Sequence, residues 1–185
     1  MAEYYYLVSQ LPSLDGISES VPLPISEDRL IDLCESFLNK KALNELQGLT
    51  LIPPMESERS SSALIEKWNV GERNLRLALS KFRAEKLNKP FELRKKDIPA
   101  ELFKIANTAV EMENPLDAER FLLQYRLTFL ETLRPMNGFS EEYIFYYALK
   151  LKLILRIRRF DKDVGETVYK SIYNSILDGD SLEDK

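Results

Sequence analysis

Residues 139–177 constrain the fold of this chain more than any other stretch of its sequence. They read FSEEYIFYYALKLKLILRIRRFDKDVGETVYKSIYNSIL and contain the most apolar segment of the chain. Ser140 can accept a hydrogen bond from the free backbone N–H groups of a first helical turn, and Glu141 and Glu142 place negative charge where the helix dipole favours it. The other end, where the dipole favours cations, carries Arg156, Arg158 and Arg159. The stretch therefore predicts a buried helix of an all-helical domain.

Two faces of that helix follow from a rotation of about 100° per residue. The broad apolar face is formed by Tyr143, Ile144, Tyr146, Tyr147, Leu151, Leu153, Ile154, Leu155 and Ile157. The other face is shared by Phe145 and three cations, Lys152, Arg156 and Arg159. Lys150 and Arg158 fall within the apolar arc, where their aliphatic stems can line it while their charged ends reach water or an acidic partner. The basic face fits two interpretations: a solvated surface, or a surface that docks against something acidic.

Apolar residues recur at helical spacing in several further segments, which are residues 27–38, 41–49, 63–87, 99–112, 116–133 and 164–177. The aromatic run Tyr4–Val8 fits either a short strand or the first turns of a helix. We therefore predict an all-α fold, a multi-helix bundle of about six to seven helices with a short extended or helical N-terminal segment. The length suits a single all-helical domain over residues 1–185, with residues 1–50 as a candidate small N-terminal lobe.

Three packing details can be predicted within these segments. Glu72 and Arg76 are four residues apart on one helical face, so they can form an ion pair. Gly71 lies inside the same helical pattern, where glycine costs about 1 kcal/mol relative to alanine, and indicates a kink or a close helix contact. Cys34 lies on an apolar face and is expected to be an inert core residue.

The composition excludes several classes of function. The formal net charge of −4 disfavours general nucleic-acid binding. Histidine is absent, which removes Ser-His-Asp and Cys-His catalysis and histidine metal sites. The single cysteine cannot form an internal disulfide, so a reducing compartment is expected. The N-terminal residues do not resemble a secretory signal, and the uncharged runs are shorter than the roughly 18–20 residues of a membrane-spanning helix.

No motif of known chemistry is present in the sequence. It contains neither G-x-x-x-x-G-K-[ST] nor G-x-G-x-x-G, and its carboxylates lie mostly in first helical turns or on polar faces. We therefore expect no catalytic site, no cofactor and no metal site, and the chain is predicted not to be an enzyme. An enzyme built from carboxylates and the tyrosines of residues 4–6 and 143–147 is an alternative. A deep, polar, closed pocket would favour it.

Several stretches of the chain share an order and spacing with a known family. They are Tyr4-Tyr5-Tyr6-Leu7-Val8 followed by Leu11-Pro12, Ile25-Ser26-x-Asp28 followed by Leu33-Cys34, Trp68-x-x-x-Glu72-x-x-Leu75-Arg76, Arg83-Ala84, and Ala148-Leu149-Lys150-Leu151-Lys152 with Gly165 downstream. Together they resemble the uncharacterised bacterial proteins associated with V/A-type rotary ATPases. That family is similar to the C subunit of those machines, called d in eukaryotes. The resemblance covers most of the chain, which looks like a shortened C subunit.

The resemblance implies a non-catalytic coupling piece. A C subunit sits on the cytoplasmic end of the membrane rotor ring, receives the central shaft, and transmits torque between ATP turnover and proton or sodium movement. The implied partners are the shaft and the rotor ring, without nucleic acid. The implied location is cytoplasmic, peripheral to the inner membrane, with membrane contact only through partner subunits.

A torque-carrying subunit needs charged or polar surfaces that fit its partners. The candidates for such an interface are Lys152, Arg156 and Arg159 on the basic face, and the loop residues Arg94, Lys95 and Lys96. A solvated loop tip is the competing interpretation of the second group. The alternative function is a free-standing cytoplasmic helical adaptor, a protein–protein interaction module unrelated to any ATPase. The proteins that remain bound after gentle extraction of host membranes would distinguish the two.

Overall fold

The computed structural model describes residues 4–16, 22–54, 60–92, 98–159, 167 and 169–173. Within these residues the regular secondary structure is helical and contains no β-strand, which confirms the predicted all-α class. The helices are α1 Tyr5–Gln10, α2 Glu27–Glu35, α3 Lys40–Gln47, α4 Ala63–Lys86, α5 Ala100–Glu111, α6 Pro115–Thr132 and α7 Glu141–Arg158. Residues 169–173 are also helical, whereas most of the predicted helix 164–177 lies outside the described residues.

Side-chain caps fix where most of these helices begin. Ser26 accepts a hydrogen bond from the backbone N–H of Arg29, and Ser140 accepts one from that of Tyr143. Asn39, Ser62 and Asn114 cap α3, α4 and α6 in the same way. Each cap satisfies a backbone donor that has no partner inside its helix. The helix start predicted at Ser140 is therefore confirmed.

The aromatic run at the N-terminus is helical, which decides between the two structures predicted for it. In α1 the side chains of Tyr4 and Leu7 are buried, whereas Tyr5 and Tyr6 are exposed. The Tyr4 backbone N–H donates to the carbonyl of Phe139 at 2.8 Å, and the rings of Tyr5 and Phe139 lie 4.2 Å apart between centroids. The first helix is thereby attached to the turn that precedes α7.

Helix α7 lies at the centre of the bundle, in contact with α2, α3, α4 and α6. Every residue from Ile144 to Leu151 is buried. Phe145 is fully buried, although its angular position predicts the basic face. The structure differs here because α7 is buried on all sides from Ile144 to Leu151, so only its last turns have a basic face open to solvent.

Two clusters of buried apolar side chains form the core. The larger one joins α7 to α1, α2, α3 and the first half of α4, and it includes Trp68 and Cys34. The smaller one joins the second half of α4 to α5 and α6. Burial raises the pKa of the Cys34 thiol to about 11, which agrees with an inert core cysteine. Helices from the first 50 residues contribute buried side chains to the same cluster as α7. The single domain over residues 1–185 and the small lobe over residues 1–50 stay predictions.

Helices α4 and α6 meet through the two features predicted near Gly71. A Cβ atom at Gly71 would lie 2.4 Å from the ring of Phe129, so the glycine marks a close helix contact. The predicted pair is present, with Arg76 Nε 2.9 Å from Glu72 Oε1. Arg126 of α6 adds two further bonds to Glu72, each of 2.9 Å. We call Glu72, Arg76 and Arg126 the Glu72 cluster.

Candidate functional site

The last turns of α7 form one wall of a surface groove of about 700 Å³. The other wall comes from the chain that follows α3, and α2 contributes the carboxylate at one end. We call this site the basic groove. Its lining residues are Glu27, Leu49, Thr50, Leu51, Ile52, Lys152, Leu155, Arg156, Arg158 and Arg159.

An apolar strip runs along the basic groove. It is formed by Leu49, Leu51, Ile52 and Leu155. Leu49 is buried and anchors the segment after α3, whereas the Ile52 side chain is 63% exposed. The Thr50 hydroxyl donates to the carbonyl of Ile52 at 2.6 Å, which holds the bend that presents Ile52 to solvent. Exposed isoleucine beside other apolar residues is typical of a surface that binds a partner.

The cations of the basic groove are only partly neutralised. Lys152 Nζ forms an ion pair with Glu27, and Arg156 Nε and Nη2 approach Glu119 Oε1 at 2.8 and 2.7 Å. Arg159 is exposed, and its guanidinium has no carboxylate partner among the described residues. Lys152 and Arg156 are thus each balanced by a carboxylate, whereas the exposed charge of Arg159 makes the described part of the groove rim positive.

The structure brings three of the predicted interface residues to this one site. Lys152, Arg156 and Arg159 all line the basic groove, and their role in binding a partner stays a prediction. Arg94, Lys95 and Lys96 lie outside the described residues.

No sequence pattern predicts the wall formed by Leu49, Leu51 and Ile52. Leu49 ends a predicted helical segment, and Leu51 and Ile52 lie between it and the pair Pro53-Pro54, in a stretch without helical periodicity. An available signal was the apolar pair Leu51-Ile52 within a segment that otherwise has the composition of a loop. Apolar side chains in such a segment need a neighbour that covers them, and the structure shows that α7 supplies part of one.

Lys150 has a different role from the cations of the basic groove. Its Nζ lies 2.5 Å from Asp15 Oδ1 and 2.7 Å from Glu131 Oε1, so its charge is satisfied within the chain. We call these three residues the Lys150 junction. The hydrogen bond from Lys150 lowers the pKa of Asp15. Burial alone would raise the pKa of Glu131, but hydrogen bonds from Lys150 and Tyr146 bring it below its usual value.

A second cavity, of about 190 Å³, lies beside the Lys150 junction and is where tyrosine side chains gather. Tyr143, Tyr146 and Tyr147 line it together with Lys150. The Tyr147 hydroxyl donates to the carbonyl of Pro12 at 2.8 Å. Burial is the larger cause and the hydrogen bond to Glu131 the smaller one, and together they raise the pKa of Tyr146 to about 12. The Tyr146 hydroxyl therefore stays protonated at neutral pH. The arrangement attaches the N-terminal segment to α7.

Comparison with known proteins adds a partial match. Residues 91–180, just under half of the chain, match the model of a family described as "Protein of unknown function (DUF2764)". No curated protein and no solved structure matches the chain. The matched range contains α5, α6 and α7, and with them the cations of the basic groove. The apolar wall from Leu49 to Ile52 lies outside that range.

The described residues lack two further kinds of feature. No helix among them has both the length and the apolar character that crossing a bilayer requires. No group of three or more Cys, Asp or Glu side chains in these residues is arranged to hold a metal ion.

Proposed function

We propose that this chain is a non-catalytic central-stalk or accessory subunit of a V/A-type rotary ATPase, similar to the C (d) subunit. In this role it couples the soluble ATPase head and its shaft to the membrane rotor ring during proton or sodium transport. The observation that carries the proposal is that Lys152, Arg156 and Arg159 line one groove at the end of the central helix. The ordered motifs that resemble the ATPase-associated family supply the identity of the partners.

The position of α7 suits transmission of force. Its 18 residues span about 27 Å, it contacts four other helices, and its residues from Ile144 to Leu151 are all buried. The Lys150 junction connects its middle to the end of α6 and to the segment after α1. A load applied at the basic groove therefore passes directly into the most densely packed part of the protein, where side chains have little freedom to move.

The chemistry of the basic groove suits a protein partner. Protein interfaces combine an apolar centre with a polar or charged rim, and the groove has an apolar strip bordered by Lys152, Arg156 and Arg159. Charge at the rim accelerates association and fixes orientation, while the apolar centre supplies affinity. In this proposal the chain lies at the cytoplasmic face of the inner membrane and is held there by its partner subunits.

Affinity purification from host membranes tests the proposal. The full-length chain carrying a tag is expressed in its host, the membranes are extracted with a mild detergent, and the subunits that co-purify are measured by quantitative mass spectrometry. The shaft and rotor-ring subunits of a V/A-type ATPase are expected among the most enriched proteins. Arg159→Glu is expected to reduce their recovery several-fold, because it reverses an exposed charge of the groove.

A matched variant controls for the change in net charge. Lys104→Glu reverses an exposed cation on α5, which packs against α4 and α6. It is expected to leave recovery of the ATPase subunits unchanged. Enrichment of other proteins without the ATPase subunits would contradict the proposed function and identify a free-standing helical adaptor instead.

A further inference from the structure

We infer that the basic groove binds an acidic amphipathic helix of a partner protein. The apolar side chains of that helix would lie on the strip formed by Leu49, Leu51, Ile52 and Leu155, and its carboxylates would face the cations at the rim. The inference rests on the proposed function only in treating the groove as a docking surface. It adds the chemical nature of the segment that docks there.

The size and lining of the groove favour an occupant larger than one side chain. The apolar residues that line it come from two separate elements, α7 and the segment after α3. The groove occupies about 700 Å³, so a single side chain would contact only part of this surface. An amphipathic helix lays a row of side chains spaced at i, i+3, i+4 and i+7 into such a groove.

The charge of the groove selects an acidic partner. The side chain of Arg156 is 43% exposed even though it contacts Glu119, and Arg159 has no carboxylate partner among the described residues. Guanidinium groups bind carboxylates through paired hydrogen bonds, which adds direction to the attraction. A basic helix would be repelled by Arg156 and Arg159, and a wholly apolar one would remove these cations from water without compensation.

Other anions fit the groove less well. A free small anion could pair with Arg159 but would leave the apolar strip uncovered. A nucleic acid requires a broad basic surface, whereas this chain carries a net charge of −4 and its groove contains exposed isoleucine. The apolar strip and the cationic rim are satisfied together by a segment that carries both leucine-like and acidic side chains.

The test measures binding of designed peptides to the full-length chain by fluorescence anisotropy. The first probe is a labelled helical peptide of about 18 residues with leucine at i, i+3, i+4 and i+7 and glutamate at the exposed positions. The second probe carries glutamine in place of every glutamate. The glutamate peptide is expected to bind about tenfold more tightly at low salt. That difference should shrink near 1 M salt, where the Debye length falls to about 3 Å.

Two variants separate the contributions of charge and apolar contact. Arg159→Glu is expected to weaken binding of the glutamate peptide about tenfold while changing the glutamine peptide little. Ile52→Ser is expected to weaken both peptides by a similar factor, because it removes apolar contact area without removing charge. Each has a matched control: Lys104→Glu reverses a charge on α5, and Met136→Ser removes an exposed apolar side chain at the opposite end of α7.

Three results with the two designed peptides would overturn the inference. They are equal affinity for the two designed peptides, no saturable binding of either, and equal sensitivity to the groove variants and their controls. A third peptide with the sequence of residues 174–185, NSILDGDSLEDK, tests another occupant. If it binds the groove more tightly than the glutamate peptide, the groove belongs to the acidic tail of the chain itself and the inference is wrong.

The outcomes for the inference and for the proposed function can be told apart. Co-purification of ATPase subunits without glutamate-dependent peptide binding removes the inference and leaves the proposed function in place. If the groove binds the glutamate peptide but no ATPase subunits co-purify, the proposed function is removed and the inference is kept. The groove would then receive an acidic helix from a different partner.

Discussion

The Glu72 cluster and the basic groove both contain more arginine than carboxylate, but they differ in burial. In the Glu72 cluster a carboxylate that is 2% exposed receives hydrogen bonds from Arg76 and from Arg126, across the contact between α4 and α6. In the basic groove the cations border exposed apolar residues, and Arg159 extends beyond the carboxylates described near it. In the first region Glu72 and Arg126 are enclosed by the fold, whereas in the second the Arg159 side chain is exposed to solvent.

The difference shows how to separate structural charges from those available for binding. A buried ion pair is strongly destabilised when one partner is removed, because the remaining charge has lost its compensation. An exposed charge contributes little to stability and can serve recognition instead. Substitutions in the two regions should therefore have opposite consequences, with large losses of stability in the first and large losses of binding in the second.

The largest expected effect is at Glu72. Glu72→Leu leaves Arg126, which is 9% exposed, without its carboxylate, and is expected to lower the free energy of unfolding by about 3–5 kcal/mol. Urea denaturation followed by circular dichroism measures this change. The double variant Glu72→Leu with Arg126→Met is expected to regain more than half of the loss, because no unpaired buried charge remains on α6. A loss below about 1 kcal/mol in the single variant would show that the cluster is not enclosed as described.

The next effect concerns the packing beside the same cluster. Gly71→Ala is expected to destabilise the protein by about 1–3 kcal/mol, since the new Cβ would lie 2.4 Å from the Phe129 ring. Thermal and urea unfolding measure the loss. Phe129→Leu in the Gly71→Ala background should restore part of it by removing the ring from the contact. A stabilising effect of alanine, as its helix propensity alone predicts, would show that α4 and α6 are further apart.

A smaller effect on stability is expected at the Lys150 junction. The Lys150 side chain is more exposed than the Glu72 carboxylate and less exposed than Arg159 at the rim of the basic groove. Lys150→Met keeps the aliphatic stem and removes the charged end, with an expected loss of about 1–2 kcal/mol at pH 7. The pKa values of Asp15 and Glu131 are lowered in the folded state. Their ionised carboxylates therefore add to the free energy of unfolding at pH values above the usual pKa of a carboxyl group. This stabilisation is lost as the pH falls through the lowered pKa values of the folded state.

The pH dependence supplies the measurement. The difference in unfolding free energy between the natural chain and Lys150→Met should be largest near neutral pH and should shrink towards pH 3, within the range where carboxylates protonate. Lys104→Met, at an exposed cation on α5, serves as the matched control and should show no such trend. A difference that is constant from pH 7 to pH 3 would mean that Lys150 acts through packing alone.

The smallest effect on stability is expected at Arg159. Arg159→Glu should change the free energy of unfolding by no more than about 0.5 kcal/mol, because the side chain is exposed. The same variant should show the largest loss of partner binding among those described. A stability loss near that of Glu72→Leu would place Arg159 in the same structural class as the Glu72 cluster and remove the contrast between the two regions.

The features that the sequence predicted correctly depend on residues close together in the chain. The cap at Ser140 acts within one helical turn, and the pair Glu72–Arg76 spans four residues. Helical periodicity likewise reports local geometry, and it located α4, α6 and α7 within one or two residues of their ends.

The features that it did not predict depend on residues far apart in the chain. Arg126 reaches Glu72 across 54 residues, and Asp15 reaches Lys150 across 135. Which carboxylate meets which cation at such separations is decided by how the helices pack, and no local pattern records it. The same limit applies to Phe145, whose angular position predicts the basic face but whose neighbours in space bury it.

The central position of α7 has a consequence for how the chain acquires its structure during synthesis. The ribosome releases α1 to α6 before α7, yet the larger core cluster is assembled around α7. Until residues 141–158 emerge, the apolar side chains of α2, α3 and α4 that will contact them remain without their natural cover. The nascent chain is therefore expected to complete its core late, and chaperones that bind exposed apolar segments would act on it before that point.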